Sequence, residues 1–91
     1  MNQHVWIFNG ANSQFPSGVF TSKELADIWM KKHRLTGVLT LYPIDNGTYD
    51  WAIGEGVFTP RRDHEFSPDF IGKFSSASQE HFHYSDGLIE N

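Results

Sequence analysis

The chain has 91 residues, a formal net charge of −4 at pH 7 and no cysteine. Its hydrophobic content of 38% and charged content of 20% are typical of a folded domain and unlike those of a disordered chain. The lack of cysteine excludes disulfides and thiolate metal sites. We expect one domain, residues 1–91, in the cytoplasm, because no signal-peptide pattern and no apolar run of about 20 residues is present.

Two apolar segments near the start predict the first pair of strands. The run HVWIF, from His4 to Phe8, is β-branched and aromatic and ends in NGANS, which favours a turn. Val19 and Phe20 follow a Pro-Ser-Gly segment and predict a short second strand. We expect the two strands to form a hairpin.

The strongest helix signal lies between Gly18 and Gly37. Thr21 is predicted as the N-cap, and Glu24, three residues later, would complete a capping box. Apolar residues at helical spacing predict the buried stripe of this helix: Leu25, Ile28 and Trp29, with Ala26 beside them and Leu35 at the end. Basic residues crowd the last turn, where they face the negative end of the helix dipole, and Gly37 is predicted as a left-handed cap.

The next segment predicts a second hairpin. The run VLTLYPI, from Val38 to Ile44, indicates a strand. Asp45-Asn46-Gly47 is typical of a type I′ hairpin turn, because Asn-Gly readily adopts positive φ. The segment from Tyr49 to Ile53 is therefore predicted as a strand antiparallel to the previous one.

The last third of the chain predicts a short helix and a strand. Ser67-Pro68-Asp69 is typical of a helix start, with a cap, a proline in the first turn and an early acid. Gln79 to Tyr84 predicts the last strand, and the tail after it is expected to be frayed. The order β-β-α-β-β, then helix and strand, predicts an α+β domain in which one main helix covers one face of an antiparallel sheet.

Three histidines are candidates for metal binding or catalysis: His64, His81 and His83. On a strand, His81 and His83 point to the same face, as a two-histidine metal clip requires. The same H-F-H-Y pattern is typical of a half-exposed strand whose aromatic residues pack inward. Because a third ligand is only conjectural and thiolates are lacking, we expect no tight transition-metal site and no cofactor.

Aromatic residues make up 15% of the chain, more than one helix–sheet interface readily absorbs. We therefore expect some rings to lie on the surface as binding anchors, surrounded by acids that steer a partner. The predicted partner-binding residues are Tyr42, Tyr49, Asp50, Trp51 and Glu55. The acidic balance argues against nucleic acid as the partner, and no segment is typical of membrane binding.

The segments VWIFNG, SGVFTS, LTGVLTLYPID, YDWAIGEGVF and EHFHY together resemble a group of small stand-alone bacterial proteins of unknown function. This resemblance covers most of the chain and implies no catalytic residues. In size, acidity and lack of catalytic motifs, the chain is also similar in type to the immunity proteins that bacteria make against their own secreted toxins.

These likenesses and the surface rings favour a non-enzymatic protein that docks on another protein, such as a basic toxin domain. The alternative that the residues leave open is a small-molecule or metal-binding protein, a hydrolase among the possibilities, centred on the three histidines. The oligomeric state is not predicted by the sequence.

Overall fold

The computed structural model describes residues 3–90. The strands are β1 (His4–Gly10), β2 (Pro16–Phe20), β3 (Gly37–Pro43), β4 (His81–Ser85) and β5 (Leu88–Ile89). The helices are α1 (Lys23–His33), α2 (Thr48–Gly54), a 3-10 helix (Asp63–Phe66) and α3 (Pro68–Gly72). The strands form one antiparallel sheet in the order β2-β1-β3-β4-β5. The predicted α+β fold is confirmed.

The main core lies between α1 and one face of the sheet. Its buried residues are Trp6, Phe8, Ala26, Met30, Leu39 and Tyr84. The register places Trp6 opposite Phe20 on one side and Leu41 on the other, so successive strands present rings and leucines to the same helix. We call the five strands and α1 the body of the protein.

The predicted start of α1 is wrong by one residue. Ser22 is the N-cap, and its hydroxyl oxygen accepts a hydrogen bond from the Leu25 amide at 3.2 Å. The capping box predicted from Thr21 and Glu24 is therefore absent from the described helix. Both Thr21 and Ser22 carry a hydroxyl that can cap a helix, so residue type alone does not distinguish them.

The buried stripe of α1 is also rotated relative to the prediction. Ala26 and Met30 are completely buried, whereas Leu25 is 53% and Ile28 65% exposed. Trp29 does pack inward, with its ring centre 5.4 Å from that of Phe20. The side of α1 that faces the sheet therefore carries Ala26 and Met30, whereas the sequence predicts Leu25 and Ile28 there.

The end of α1 likewise differs from the prediction. Arg34, not Gly37, is the left-handed C-cap, with a φ of 54°. Gly37 lies in β3, where a Cβ atom would overlap the Asn9 carbonyl oxygen and press on the Phe8 ring. This glycine is needed for close approach of two strands and not for helix capping.

The end of the chain is bound to the body, whereas the sequence predicts a frayed tail. Arg34 donates two hydrogen bonds to the Asp86 carboxylate, at 3.0 and 2.8 Å. The Gly87 amide donates to the Leu35 carbonyl oxygen at 2.8 Å. The turn between β4 and β5 is thus fixed on the end of α1, and β5 completes the sheet.

Residues 44–80 form a long connection between β3 and β4, which we call the arm. It contains α2, the 3-10 helix and α3. The radius of gyration of the structure is 14.4 Å, against about 12 Å for a compact domain of this length. This excess agrees with an arm that extends away from the sheet.

The strand predicted from Tyr49 to Ile53 is wrong, because this segment lies in α2. Gly47 has a φ of −63° and is the N-cap of α2, so the predicted type I′ turn is wrong as well. The positive φ in this turn belongs to Asp45, at 62°. Farther along, the predicted short helix is confirmed, since the Ser67 hydroxyl caps α3.

Candidate binding site

Four aromatic rings form a second cluster inside the arm. They are Tyr49, Phe58, Phe70 and Phe74, with ring centres between 4.9 and 6.3 Å apart. The Tyr49 hydroxyl donates to the Glu65 carbonyl oxygen at 2.8 Å, which ties α2 to the 3-10 helix. Tyr49 is 8% exposed, whereas the three phenylalanines are half-buried. The arm therefore has its own small core.

The segment between α2 and α3 is held by hydrogen bonds to its backbone. The Glu65 carboxylate accepts the Arg61 amide at 2.8 Å and the Arg62 amide at 3.0 Å. These two bonds hold the pKa of Glu65 below its usual value. The Ser67 hydroxyl donates to the His64 carbonyl oxygen and accepts the Phe70 amide. The polar segment TPRRDHE thus has a defined shape.

A cleft of about 620 Å³ opens on this cluster. Phe58, Phe70 and Phe74 contribute apolar surface to its lining, and the His64 ring centre lies 5.7 Å from that of Phe70. Asp69 and Lys73, which also line the cleft, form an exposed ion pair at 3.3 Å. An apolar lining with a few polar groups is typical of sites for a small ligand or a single inserted side chain.

The charge of the protein is concentrated in the arm. Residues 44–80 contain seven acids and three bases, and the rest of the chain contains four of each. The formal net charge of −4 therefore belongs entirely to the arm. In the body, the acids Asp27 and Asp86 are paired with Lys31 at 3.1 Å and Arg34 at 2.8 Å. The electrostatic attraction of a basic partner would be directed at the arm.

Four of the five predicted partner-binding residues lie in α2 or directly after it, and the fifth, Tyr42, lies in β3. Asp50 and Glu55 are exposed, and Trp51 is half-buried. Tyr42 lies on the sheet face opposite α1 and is also half-buried. Tyr49 is buried in the ring cluster, so the expectation that its ring is an exposed anchor is wrong. The acids and Trp51 remain available at the surface.

The prediction missed the apolar residues that the arm does expose. They are Ile44, Ile53, Val57, Phe66 and Ile71, between 38% and 57% exposed. On a strand, Ile53 would share a face with Tyr49, but on the helix it lies three residues after Asp50 and on the outer side. The three-residue spacing of Tyr49 and Ala52 is the signal that could have revealed the inner face of α2.

The three candidate histidines are not gathered into one site. His64 lines the arm cleft, whereas His81 and His83 are exposed on β4 with ring centres 5.4 Å apart. Between residues 3 and 90, no group of three or more histidine, aspartate or glutamate side chains is placed to hold a metal ion. The pair on β4 and the single histidine in the cleft must be considered separately.

The protein is an α+β domain in which one main helix covers one face of the antiparallel sheet. The arm that connects β3 to β4 is acidic and has its own aromatic cluster. Residues 5–90 match the family model described as a domain of unknown function, DUF7710, and the chain belongs to this family. The resemblance to proteins of unknown function is thereby confirmed. No curated protein and no solved structure matches the chain. Within residues 3–90, none of the helices combines the length and apolar character required to cross a bilayer.

Proposed function

We propose that this protein is a non-enzymatic binding protein whose arm docks on a basic protein partner. The observation that carries the proposal is that the arm combines the whole net charge of −4 with five exposed apolar side chains. Apolar anchors surrounded by charge are the usual anatomy of a docking surface. A basic secreted toxin domain fits this chemistry, and a cytoplasmic location, as predicted from the sequence, belongs to the same proposal.

The centre of the proposed surface is the outer side of α2 and the segment that follows it. Ile53 and Val57 are 40% and 46% exposed and supply apolar contact. Asp50 and Glu55 are exposed beside them in the sequence and carry negative charge. Apolar anchors provide most of the affinity at such surfaces, whereas charges at the rim mainly accelerate association.

The neighbouring Ser67 and His64 are not arranged as a nucleophile and its base. A serine nucleophile requires a base within hydrogen-bonding distance of its hydroxyl. The Ser67 hydroxyl instead donates to the His64 carbonyl oxygen at 2.8 Å and accepts the Phe70 amide at 3.1 Å. Its hydrogen-bonding capacity is used to cap α3, although the His64 ring is nearby in the sequence.

The test is capture of the partner on the immobilised protein, followed by binding kinetics with substituted arms. Ile53→Ala combined with Val57→Ala should weaken binding by about 2 kcal/mol, the size expected at a hot spot. Asp50→Lys and Glu55→Lys should mainly slow association, and less so at high salt.

The body supplies matched controls for these changes. Ile28→Ala removes an exposed aliphatic side chain from α1, and Glu24→Lys reverses an exposed charge there. Neither should affect binding. If the two α1 variants weaken binding as much as the arm variants, the partner docks on the body and the proposal is wrong.

A second candidate function is small-molecule binding in the arm cleft, favoured by the phenylalanines and His64 that line it. A ligand there would contact His64, and the cleft also includes Val57 of the proposed docking centre. His64→Ala should then weaken ligand binding more than partner docking, whereas Ile53→Ala, outside the cleft lining, should weaken docking alone. Nuclear magnetic resonance screening of small aromatic and aliphatic compounds, read at the Phe58 and Phe74 ring signals, separates this function from docking.

A further inference from the structure

We infer that His81 and His83 form a two-histidine clip for a divalent transition-metal ion such as Zn²⁺. The two residues alternate on β4, so their side chains leave the same face of the sheet, away from α1. Both are exposed, and their ring centres are 5.4 Å apart. This site does not depend on the proposed function of the arm.

The separation of the rings fits ligation of a single ion. With zinc–nitrogen bonds of about 2.0–2.1 Å, the metal lies about 3.2 Å from each ring centre, and a tetrahedral angle puts the centres about 5.2 Å apart. The observed separation is 5.4 Å, with the ring planes at 84°. Because His83 is exposed, its ring can turn about its side-chain bonds to aim a nitrogen at the same point.

The His81 ring already has the hydrogen bond that a ligating histidine usually makes. Its Nδ1 atom lies 2.6 Å from the Gln79 carbonyl oxygen. A carbonyl oxygen can only accept, so Nδ1 carries the proton and the lone pair is on Nε2. Metal-bound histidines typically donate their second ring nitrogen to a carbonyl or carboxylate in this way, which fixes tautomer and orientation.

The residue that provides this carbonyl is itself held in place. The Gln79 side chain is 3% exposed. Its Nε2 atom donates to the Leu41 carbonyl oxygen at 3.2 Å, and its Oε1 atom accepts the Ser76 amide at 3.2 Å. Gln79 therefore fixes the backbone at the start of β4. Its carbonyl oxygen in turn fixes the orientation of the His81 ring.

The residues opposite the pair on β3 place no positive charge beside a bound cation. The register places Thr40 opposite His81 and Val38 opposite His83, and neither carries a charge. Two protein ligands leave further coordination positions to water or another small ligand. We therefore expect an exchangeable site of micromolar affinity, in agreement with the sequence-based expectation that no tight site is present.

The experiment is calorimetric titration of Zn²⁺ into chelator-treated protein without a histidine tag. The expected result is one ion bound per chain with a micromolar dissociation constant. His81→Ala and His83→Ala should each weaken binding about tenfold or more, because one imidazole alone holds the ion poorly. In nitrogen-15 spectra, Zn²⁺ should shift the Nε2 signal of His81 and leave its Nδ1 protonated.

His64→Ala is the matched control, since this exposed histidine lies in the arm cleft. It should leave the Zn²⁺ affinity unchanged. The clip is excluded if the double variant His81→Ala with His83→Ala binds Zn²⁺ as the natural protein does. It is also excluded if His64→Ala weakens binding as much as His81→Ala, because the site would then be one that includes the arm.

Discussion

The body and the arm differ in how completely they bury their side chains. In the body, Phe8, Met30, Leu39 and Tyr84 are at most 1% exposed and meet between a sheet and a helix. In the arm, the rings of Phe58, Phe70 and Phe74 are only half-buried, and the three helices have four to seven residues. Helices this short are stable only through their packing. We therefore expect the arm to open more readily than the body.

The difference supports our proposal that the body provides stability and the arm provides the docking surface. The body balances its charges, and two of its ion pairs join α1 to itself and to the β4–β5 turn. The arm leaves an excess of acid and several apolar side chains at the surface. Surface features of this kind contribute little to folding but suit binding.

The largest contrast should come from replacing one glycine in each part with alanine. Gly37→Ala should destabilise the protein by about 3 kcal/mol, because the new methyl group meets the Asn9 carbonyl oxygen and the Phe8 ring between two packed strands. Gly54→Ala, at the end of α2, should stabilise by about 0.5–1 kcal/mol, because alanine loses less backbone entropy than glycine on folding and nothing lies within 4 Å of the new Cβ atom. Urea unfolding of both variants measures the difference. Equal midpoints for the two would show that β1 and β3 are not tightly packed.

A smaller contrast is expected from removing one tyrosine hydroxyl in each part. The Tyr84 hydroxyl donates to the Asp27 carboxylate at 3.1 Å, so Tyr84→Phe should cost about 1.5–3 kcal/mol. Tyr49→Phe removes a bond to a neutral carbonyl oxygen and should cost about 1 kcal/mol. Denaturant midpoints give both values. A larger loss for Tyr49→Phe would reverse the order of stability that we assign to body and arm.

The penalty of Tyr84→Phe should also depend on pH. Burial, and then the bond to Asp27, raise the pKa of Tyr84 from 10.0 to about 12. The stabilisation by this hydroxyl is therefore complete below pH 10 and is lost as the pH rises to about 12, since the unfolded chain ionises first. Burial raises the pKa of Asp27, but hydrogen bonds from Lys31 and Tyr84 lower it below 3.8 overall. The stabilisation is also lost as the pH falls through that lowered pKa, so the two proteins should converge at both extremes.

The smallest effects should come from the helix caps. Ser22→Ala removes the cap of α1 and should lower global stability by about 1 kcal/mol, with Thr21→Ala as the matched control of little effect. Ser67→Ala removes the cap of α3, and we expect faster amide hydrogen exchange in the arm with little change in global unfolding. If Ser67→Ala shifts the denaturant midpoint as far as Ser22→Ala does, body and arm unfold as one unit.

The body could be predicted from the sequence because each of its elements has one clearly buried side. Four of its strands and α1 were placed within a few residues, since alternation and helical spacing follow directly from burial. The errors in α1 are local ones. Thr21 and Ser22 are neighbours of equivalent chemistry, and the stripe of Leu25 and Ile28 competes with that of Ala26 and Met30.

The arm could not be predicted in the same way because its segments are too short to show a period. Tyr49, Trp51 and Ile53 alternate as in a strand, but α2 buries Tyr49 and Ala52, which are three residues apart. Asn46-Gly47 favours a hairpin, yet here it precedes a helix. The cleft brings together rings that lie far apart in the sequence, and no local pattern indicates which rings meet. The acids Asp50 and Glu55 could be placed at the surface, because charged residues are rarely buried.

The meeting of the two ends of the arm has a consequence for how this family can diversify. The Leu41 amide donates to the Glu80 carbonyl oxygen at 2.9 Å, and Thr40 pairs directly with His81, so the chain leaves the sheet and returns to it at one place. Two strands paired in this way need only a short turn between them, and the free energy of closing a loop grows slowly with its length. Insertions, deletions and replacements between residues 45 and 78, which keep the Gln79 and Glu80 contacts to Leu41, should therefore leave the strand register intact. If the arm is the docking surface that we propose, its sequence can change without loss of the sheet and α1.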